Sequence, residues 1–323
     1  MLAIRISRTG GPEVLESAEV PVPAPGPGEI LVRHEAIGLN YIDTYHRTGL
    51  YPLRLPSGLG LEGAGVVEAV GEGVTRFSVG DRAAYGNGPL GAYADYHVIP
   101  ADRAVRPPAG VDSRTAAAAM LKGMTAEFLL RRCYPVKAGD AVLIHAAAGG
   151  VGSILTQWAR ALGAFVIGTA GSPDKAALAR THGAHETILY RDEDVAARVR
   201  ALTGGAGARV VYDGVGAATF EASLASLGRR GMLVSYGNAS GPVPAVEPLR
   251  LSRGGSLFLT RPTLFDYVAT TQELDESAGA LFEAIASGAV NIDIGQTFPL
   301  AEARRAHEAL EGRETTGSTL LIP

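Results

Sequence analysis

The feature that most constrains the fold is a repeated alternation of short apolar segments and amphipathic helical segments in the middle of the chain. The segments between the apolar runs, such as VGSILTQWARALG and PDKAALARTHG, have helical spacing and end at glycine. This alternation predicts a doubly wound parallel α/β sheet of the Rossmann type. Its predicted strands lie at residues 141–145, 164–169, 186–189, 208–213 and 230–236, with a sixth near 256–260.

The turn after the first of these strands reads HAAAGGVG and spans residues 145–152. In the dinucleotide fingerprint, three glycines provide a tight turn, close approach to the pyrophosphate and close helix packing. The matching positions are Ala147, Gly149 and Gly152, so an alanine replaces the first glycine. Plain strand–helix turns also contain glycine, but the βα units that follow favour dinucleotide binding. We expect the pyrophosphate at the N-terminus of a helix that begins near Gly150.

The end of the second predicted strand indicates which dinucleotide binds. An NAD site usually has an acidic residue there, bonded to the ribose 2′-hydroxyl. Here the strand runs into Gly171 and Ser172, the first acid is Asp174 within the next helix, and Lys175 follows it. A charge-assisted bond from Lys175 to a 2′-phosphate, about 1.5–3 kcal/mol, predicts about a 10- to 150-fold preference for NADPH. The alternative is that Lys175 is only a solvated helix residue.

The segments on either side of this alternation suggest a second domain. Residues 1 to about 120 are β-rich, with EILVRHEAIGL and EGAGVVEAVG as strand candidates. VPVPAPGPGE, between two such segments, reads as a rigid loop within one domain. We expect the first part of a catalytic domain at residues 1–121, the dinucleotide-binding domain at 122–261, and a return to the catalytic domain at 262–323.

Charge and cysteine content exclude several classes of protein. The formal net charge is −4 without long runs of one sign, which argues against a nucleic-acid surface. The single cysteine, Cys133, excludes an internal disulfide and fits a reducing cytoplasm. We expect neither a signal peptide nor a membrane span. No metal-binding spacing occurs among the seven histidines, at positions 34, 46, 97, 145, 182, 185 and 307.

Several motifs in order resemble those of the zinc-independent quinone oxidoreductases, the zeta-crystallin-like branch of the medium-chain dehydrogenase/reductase superfamily. They include GGPEVLE, GLNYIDTYHRTGLYP, HAAAGGVG, VVYDGVG and GSTLLIP, and they span essentially the whole chain. The resemblance implies a GroES-like β-rich catalytic domain beside the Rossmann domain. It also implies hydride transfer from NADPH to a quinone in an interdomain cleft, and a homodimer formed through the last Rossmann strand around SLFLT.

The resemblance permits a test for a catalytic zinc. Zinc-dependent members carry ligands at the positions of Asn40, Leu61 and Lys122, and none of these three residues is a zinc ligand. We therefore expect no metal at this site. Without a Lewis acid, the acceptor has to be electrophilic already, as a quinone is, while the cofactor supplies the hydride.

The resemblance also implies the residues of the site. Four would contact the substrate: Asn40, Asp43, Tyr45 and Tyr51. The cofactor contacts would be Asn40, Tyr41, Ile42, Thr125, Gly149, Gly150, Val151, Gly171, Ser172, Lys175, Tyr190, Tyr236, Gly237, Asn238, Arg261 and Arg313. Four of these residues have a structural alternative: Asn40 as a turn former, Tyr45 and Tyr51 as core or rim aromatics, and Arg261 as a surface ion pair. One departure is Gly214, where close members carry serine.

Two other functions stay open at the level of sequence. The first is NADPH-dependent reduction of activated double bonds in 2-alkenals or enones, which needs a proton at carbon that Tyr45 or Tyr51 would donate. The second is a non-catalytic or RNA-binding role on the same nucleotide fold. The acidic balance and the lack of a basic patch argue against RNA.

Overall fold

The computed structural model of the chain describes residues 1–323, and they divide into two units by their contacts. Unit 1 consists of residues 1–124, 268–286 and 292–323, and unit 2 consists of residues 125–267 and 287–291. These divisions fall a few residues from the expected domain limits, which stay a prediction.

The bounds of the regular elements are as follows. The strands are β1 (Leu2–Ile6), β2 (Glu16–Glu19), β3 (Glu29–Leu39), β4 (Ser57–Gly58), β5 (Glu62–Val70), β6 (Arg82–Tyr85), β7 (Tyr96–Pro100), β8 (Ala141–Ile144), β9 (Phe165–Ala170), β10 (Glu186–Leu189), β11 (Ala208–Asp213), β12 (Leu227–Ser235), β13 (Phe258–Thr260), β14 (Ile294–Pro299) and β15 (Ser318–Ile322). The helices are α1 (Tyr41–Thr48), α2 (Ser113–Phe128), α3 (Gly150–Ala161), α4 (Pro173–Thr181), α5 (Val195–Leu202), α6 (Phe220–Ser226), α7 (Pro248–Arg253), α8 (Leu264–Tyr267), α9 (Thr271–Ala286) and α10 (Ala303–Glu311). No helix combines the length and the apolar content that a membrane crossing requires.

Unit 2 is built on six parallel strands in the spatial order β10-β9-β8-β11-β12-β13. In sequence rank this order is 3-2-1-4-5-6, that of the dinucleotide-binding fold, so the predicted Rossmann-type sheet is confirmed. Strands β8, β9 and β11 are buried along most of their length because helices cover both faces of such a sheet. Leu143, Ile167 and Val211 belong to the resulting core. The carboxyl ends of the strands form one edge, where ligands bind in this class of fold.

Unit 1 is β-rich, and its main sheet has the order β14-β15-β3-β5-β6, with β7 also paired to β3. The long strand β3 pairs antiparallel with β5, β7 and β15. A smaller sheet has the order β2-β1-β4. Helix α1 follows β3 after one residue, Asn40, and ends at Gly49, which has a left-handed conformation (φ 82) that suits glycine.

Candidate functional site

The glycine-rich turn lies at the carboxyl end of β8, and α3 begins at Gly150, as predicted. Gly149 precedes the helix in an extended conformation, and no side chain caps it. A Cβ on Gly152 would lie 2.1 Å from the carbonyl oxygen of Ala146, so only glycine fits there. The first N–H groups of a helix have no partner within it. They form a suitable site for an anionic pyrophosphate.

The left-handed residue of this turn is Ala146 (φ 51). Ala147, which stands at the first glycine of the fingerprint, is fully buried, and its N–H donates to the carbonyl of Thr169 (3.0 Å). The tightest part of the turn therefore falls one residue earlier than the fingerprint alignment predicts.

Four predicted cofactor residues lie together beyond the end of β9. Ser172 caps α4, and its hydroxyl oxygen accepts from the backbone N–H of Lys175 (3.3 Å). A Cβ on Gly171 would lie 2.6 Å from the hydroxyl oxygen of Tyr190, so the tyrosine packs directly over the glycine. Asp174 is exposed in the first turn of α4, as the sequence predicts. The group thus offers a cation and two hydroxyls.

A second group of predicted residues lies at the ends of β11 and β12. A Cβ on Gly237 would lie 2.3 Å from the carbonyl oxygen of Gly214. A Cβ on Gly214 would lie 2.8 Å from the ring of Tyr236, so any larger residue at this position would clash with that ring. With its amide oriented to satisfy both atoms, Asn238 donates to Gly237 O (3.0 Å) and accepts from Arg261 (3.2 Å). Glycine at both strand ends lets Tyr236 lie close to the backbone.

Thr125 and Arg313 lie apart from these groups in sequence. Thr125 is buried near the end of α2 in unit 2. Arg313 is exposed in unit 1, just after α10, in a left-handed conformation (φ 60).

In unit 1, a buried carboxylate that the sequence analysis missed organises the residues around Asn40. Glu62 Oε2 accepts from Asn40 Nδ2 (2.8 Å) and from Lys122 Nζ (2.9 Å), and Glu62 Oε1 accepts from the Leu121 N–H (2.6 Å). Glu62 is 0% exposed and Lys122 5%. The signal that could have found this pair is an acid inside the apolar strand LEGAGVV and a lysine inside an alanine-rich helix.

Asn40 and Lys122, which stand at positions of zinc ligands in zinc-dependent members, are therefore close together, but the group between them is a carboxylate and not a metal ion. Asn40 and Lys122 share one oxygen of Glu62, and Leu61 is the neighbour of that residue. An ammonium group, an amide nitrogen and a leucine do not form the set of nitrogen, sulfur and oxygen donors that zinc requires. No group of three or more His, Cys, Asp and Glu side chains is arranged to hold a metal ion. The residues present do not fit a zinc ion.

Asp43 lies at the end of a directed chain of hydrogen bonds. Its Oδ2 accepts from the Asn40 N–H (2.9 Å) and from the hydroxyl of Tyr93 (2.8 Å). His307 Nδ1 accepts from Arg47 (3.0 Å), so its Nε2–H donates to Tyr93 (3.1 Å). Burial raises the pKa of Asp43 to about 7. Asp43 is fully buried and its Oδ1 has no partner, and the expected contact with a ligand stays a prediction.

The other predicted residues of this region lie on or just after α1. Tyr41 and Ile42 are half-buried, and the Tyr41 hydroxyl donates to the Leu310 carbonyl (3.0 Å). Tyr45 is buried, and its ring meets that of Tyr51 edge to face, with centroids 5.3 Å apart. The two tyrosines therefore act as one packed pair.

Two protein-family models match different parts of the chain. Residues 26–109 match the family described as "Alcohol dehydrogenase GroES-like domain", and residues 150–283 match "Zinc-binding dehydrogenase". The second match contains neither Asn40 nor Leu61 nor Lys122.

Relatives match over nearly their full length. A quinone oxidoreductase of Pseudomonas aeruginosa is 56% identical, with 99% of each chain covered. A 2-haloacrylate reductase of Burkholderia is 46% identical, with 100% of this chain and 99% of the relative covered. The crystal structure of the Escherichia coli quinone oxidoreductase complexed with NADPH has a TM-score of 0.98 at 50% identity, with 100% of both chains covered.

Proposed function

The chain belongs to the zinc-independent quinone oxidoreductase family of the medium-chain dehydrogenase/reductase superfamily, and from this premise we propose that it reduces quinones with NADPH. The observation that carries the proposal is identity of 50–56% to quinone oxidoreductases, with 99% of the chain covered. The physical argument from the donor set agrees, because the site lacks zinc ligands and a quinone needs no Lewis acid.

The residues of unit 2 fit NADPH. Gly149, Gly150 and Val151 would hold the pyrophosphate at the start of α3. Gly171, Ser172, Lys175 and Tyr190 would hold the 2′-phosphate, for which Lys175 supplies the positive charge. The remaining predicted contacts are Thr125, Tyr236, Gly237, Asn238 and Arg261. Bound NADPH supplies the hydride.

In unit 1 the chain's own residues would orient the acceptor and the nicotinamide end of the cofactor. Asn40 is fixed by Glu62, and its neighbours Tyr41 and Ile42 are half-exposed beside it. The packed pair Tyr45 and Tyr51 would bound the acceptor pocket, and Arg313 would contact the cofactor. Precise placement of these groups provides the rate acceleration, since no residue has to form a covalent bond.

A second candidate is reduction of an activated double bond. The observation that favours it is the relative named 2-haloacrylate reductase, which is 46% identical over the whole chain. This reaction needs a proton at carbon as well as a hydride, so it requires a donor such as Tyr45 or Tyr51 near the acceptor.

The decisive experiment measures oxidation of NADPH and of NADH by an ortho-quinone and by a 2-alkenal, with excess EDTA present. We expect turnover with the quinone, with NADPH well ahead of NADH. Lys175→Met should lower kcat/KM for NADPH by about tenfold or more and leave NADH nearly unchanged. Arg180→Met, at an exposed position of the same helix, is the matched control and should change neither.

Each other outcome has a definite meaning. Turnover with the alkenal alone would replace quinone reduction by double-bond reduction and keep the cofactor assignment. Activity that EDTA abolishes would contradict the metal-free site. RNA retention that falls steeply with salt, without turnover of any acceptor, would favour the non-catalytic function.

We also propose that the protein is a cytoplasmic homodimer joined through β13. This strand is at the edge of the unit 2 sheet, and Phe258 on it is 55% exposed. An apolar edge strand favours pairing with another strand. Light scattering at micromolar concentration should give twice the 33.4 kDa of one chain. Phe258→Lys should yield monomer, whereas Phe265→Lys, at another exposed phenylalanine of unit 2, should stay dimeric. A monomeric wild type refutes the proposal.

A further inference from the structure

The glycine-rich turn contains a backbone conformation that its sequence does not favour. Ala146 is left-handed (φ 51), a conformation that glycine adopts readily and alanine rarely. The Ala146 carbonyl is also the central acceptor of the turn, because the Gly149 N–H donates to it (2.9 Å) and a Cβ on Gly152 would lie 2.1 Å from it. A shift of Ala146 would therefore move the start of α3, and contacts elsewhere have to hold it in place.

The side chain of the preceding residue provides such contacts. His145 is 1% exposed, and both ring nitrogens are bonded: Nδ1 to the hydroxyl of Thr169 (3.1 Å) and Nε2 to the hydroxyl of Ser223 (2.9 Å). The Thr169 hydroxyl also accepts from the Ala146 N–H (3.3 Å). The left-handed residue is thus attached to β9 through Thr169 and to α6 through His145 and Ser223.

This series of hydrogen bonds ends at Asp213, the last residue of β11. The Ser223 hydroxyl donates to Asp213 Oδ2 (2.6 Å), and Asp213 Oδ1 accepts from the N–H groups of Val215 (2.9 Å) and Gly216 (3.1 Å). The carboxylate therefore connects the glycine-rich turn to the turn after β11, which contains Gly214 under Tyr236.

The number of protons on these side chains determines which atom donates in each hydrogen bond. Because Ser223 gives its one proton to Asp213, its oxygen accepts from the Nε2–H of His145, and His145 Nδ1 accepts from Thr169. Burial lowers the pKa of His145, consistent with this neutral form. The three residue types are those of a hydrolytic triad, but here serine lies between histidine and aspartate. Ser223 is also 0% exposed, which excludes a nucleophile.

We propose that Thr169, His145, Ser223 and Asp213 are positioning residues for NADPH, which hold the left-handed Ala146 so that the N–H groups at the start of α3 meet the pyrophosphate. The inference rests on the proposed function, since it assigns these residues a role toward that cofactor. In this protein a buried network of polar side chains thus stabilises a left-handed turn residue, a conformation that glycine adopts without such support at the tight turn of other dinucleotide sites.

The test uses NADPH binding followed by the fluorescence of Trp158, the single tryptophan, which lies in α3. Ser223→Ala removes the central link and should raise the Kd for NADPH about tenfold, with the KM for the quinone unchanged. Ser226→Ala is the matched control, because Ser226 is equally buried in the same helix and its hydroxyl donates only to the Ala222 carbonyl. Its Kd should stay within about twofold of wild type.

Rescue separates positioning from general damage. Ala146→Gly in the Ser223→Ala background should return the Kd to within about threefold of wild type, because glycine adopts the left-handed conformation without help. If Ser223→Ala does not fold, Thr169→Val against Thr169→Ser makes the same comparison, with the higher Kd expected only for the variant without a hydroxyl.

An unchanged Kd in Ser223→Ala, an equal rise in Ser226→Ala, or no recovery with Ala146→Gly would each overturn the inference. Wild-type protein that does not bind NADPH would instead refute the proposed function, and with it any role of the chain toward that cofactor.

Discussion

At the scale of single residues, Asp43 gives the most direct pH prediction. Burial raises its pKa to about 7, against an ordinary value of 3.8. The folded state therefore keeps a proton that the unfolded state releases. Its favourable contribution is complete below pH 3.8 and is lost as pH rises through 7. We expect Asp43→Asn to stabilise the protein at pH 8 relative to pH 5, with an upper limit of about 2.7 kcal/mol, because two pH units of the interval over which the contribution is lost lie above pH 5.

Thermal unfolding of wild type and variant at both pH values checks this expectation. The new amide oxygen still accepts from Asn40 and Tyr93, so the substitution removes the charge and keeps those bonds. Asp174→Asn, at an exposed position, is the control and should shift Tm equally at both pH values. A difference between Asp43→Asn and wild type that does not change with pH would show that Asp43 is ionised in the folded protein throughout.

Residue types that act through the backbone were the easiest to predict, and those that act through burial were the hardest. Gly149 and Ser172 belong to turns whose spacing is visible in the sequence. Glu62 and Ser223 were missed because a single acid or serine carries no local periodicity. Their importance arises from partners 60 and 78 positions away, Lys122 and His145. Only the fold brings such pairs together.

At the scale of elements, the parallel sheet of unit 2 was predictable and parts of unit 1 were not. Strands such as β10 (Glu186–Leu189) and β11 (Ala208–Asp213) lie where they were expected, because strands buried on both faces read as short apolar runs between turns. Strand β3 (Glu29–Leu39) was also predictable, because its apolar residues extend over 11 positions.

Short and half-exposed elements escaped prediction. Strand β14 (Ile294–Pro299) alternates between partly buried and exposed residues, and β2 (Glu16–Glu19) is almost entirely exposed. Such strands are stabilised by their hydrogen-bonded neighbours, and their own sequence carries little apolar signal. Helix α1 (Tyr41–Thr48) is likewise only eight residues long, and its start depends on Asn40 and Asp43.

At the scale of the whole molecule, buried neutral histidines predict sensitivity to acid. Burial lowers the pKa of His34 to about 3, and burial with the nearby Arg47 lowers that of His307 to about 3. Below pH 6.5 these two histidines become protonated in the unfolded chain but stay neutral in the folded state. Stability is therefore lost as pH falls, by roughly 1.4 kcal/mol per pH unit for each histidine.

Urea unfolding between pH 6.5 and 4.5 measures the slope, to which the two histidines together should contribute roughly 3 kcal/mol per pH unit. Asp43, which keeps its proton in the folded state over this interval, should offset about half of that contribution. His307→Gln should therefore change the slope by roughly 1.4 kcal/mol per pH unit relative to wild type, since glutamine does not titrate. Equal slopes for wild type and His307→Gln would mean that His307 is charged in the folded state.

The strand order of unit 1 also determines when that unit can be completed during synthesis. Strand β15, residues 318–322, lies between β14 and β3 in the sheet, so it joins the last part of the chain to residues made near its beginning. All residues of unit 2 are translated before it. The Rossmann-type sheet can therefore form while the part of β3 that β15 pairs with is still an open edge. Until β15 is made, that edge is a site where another chain could pair.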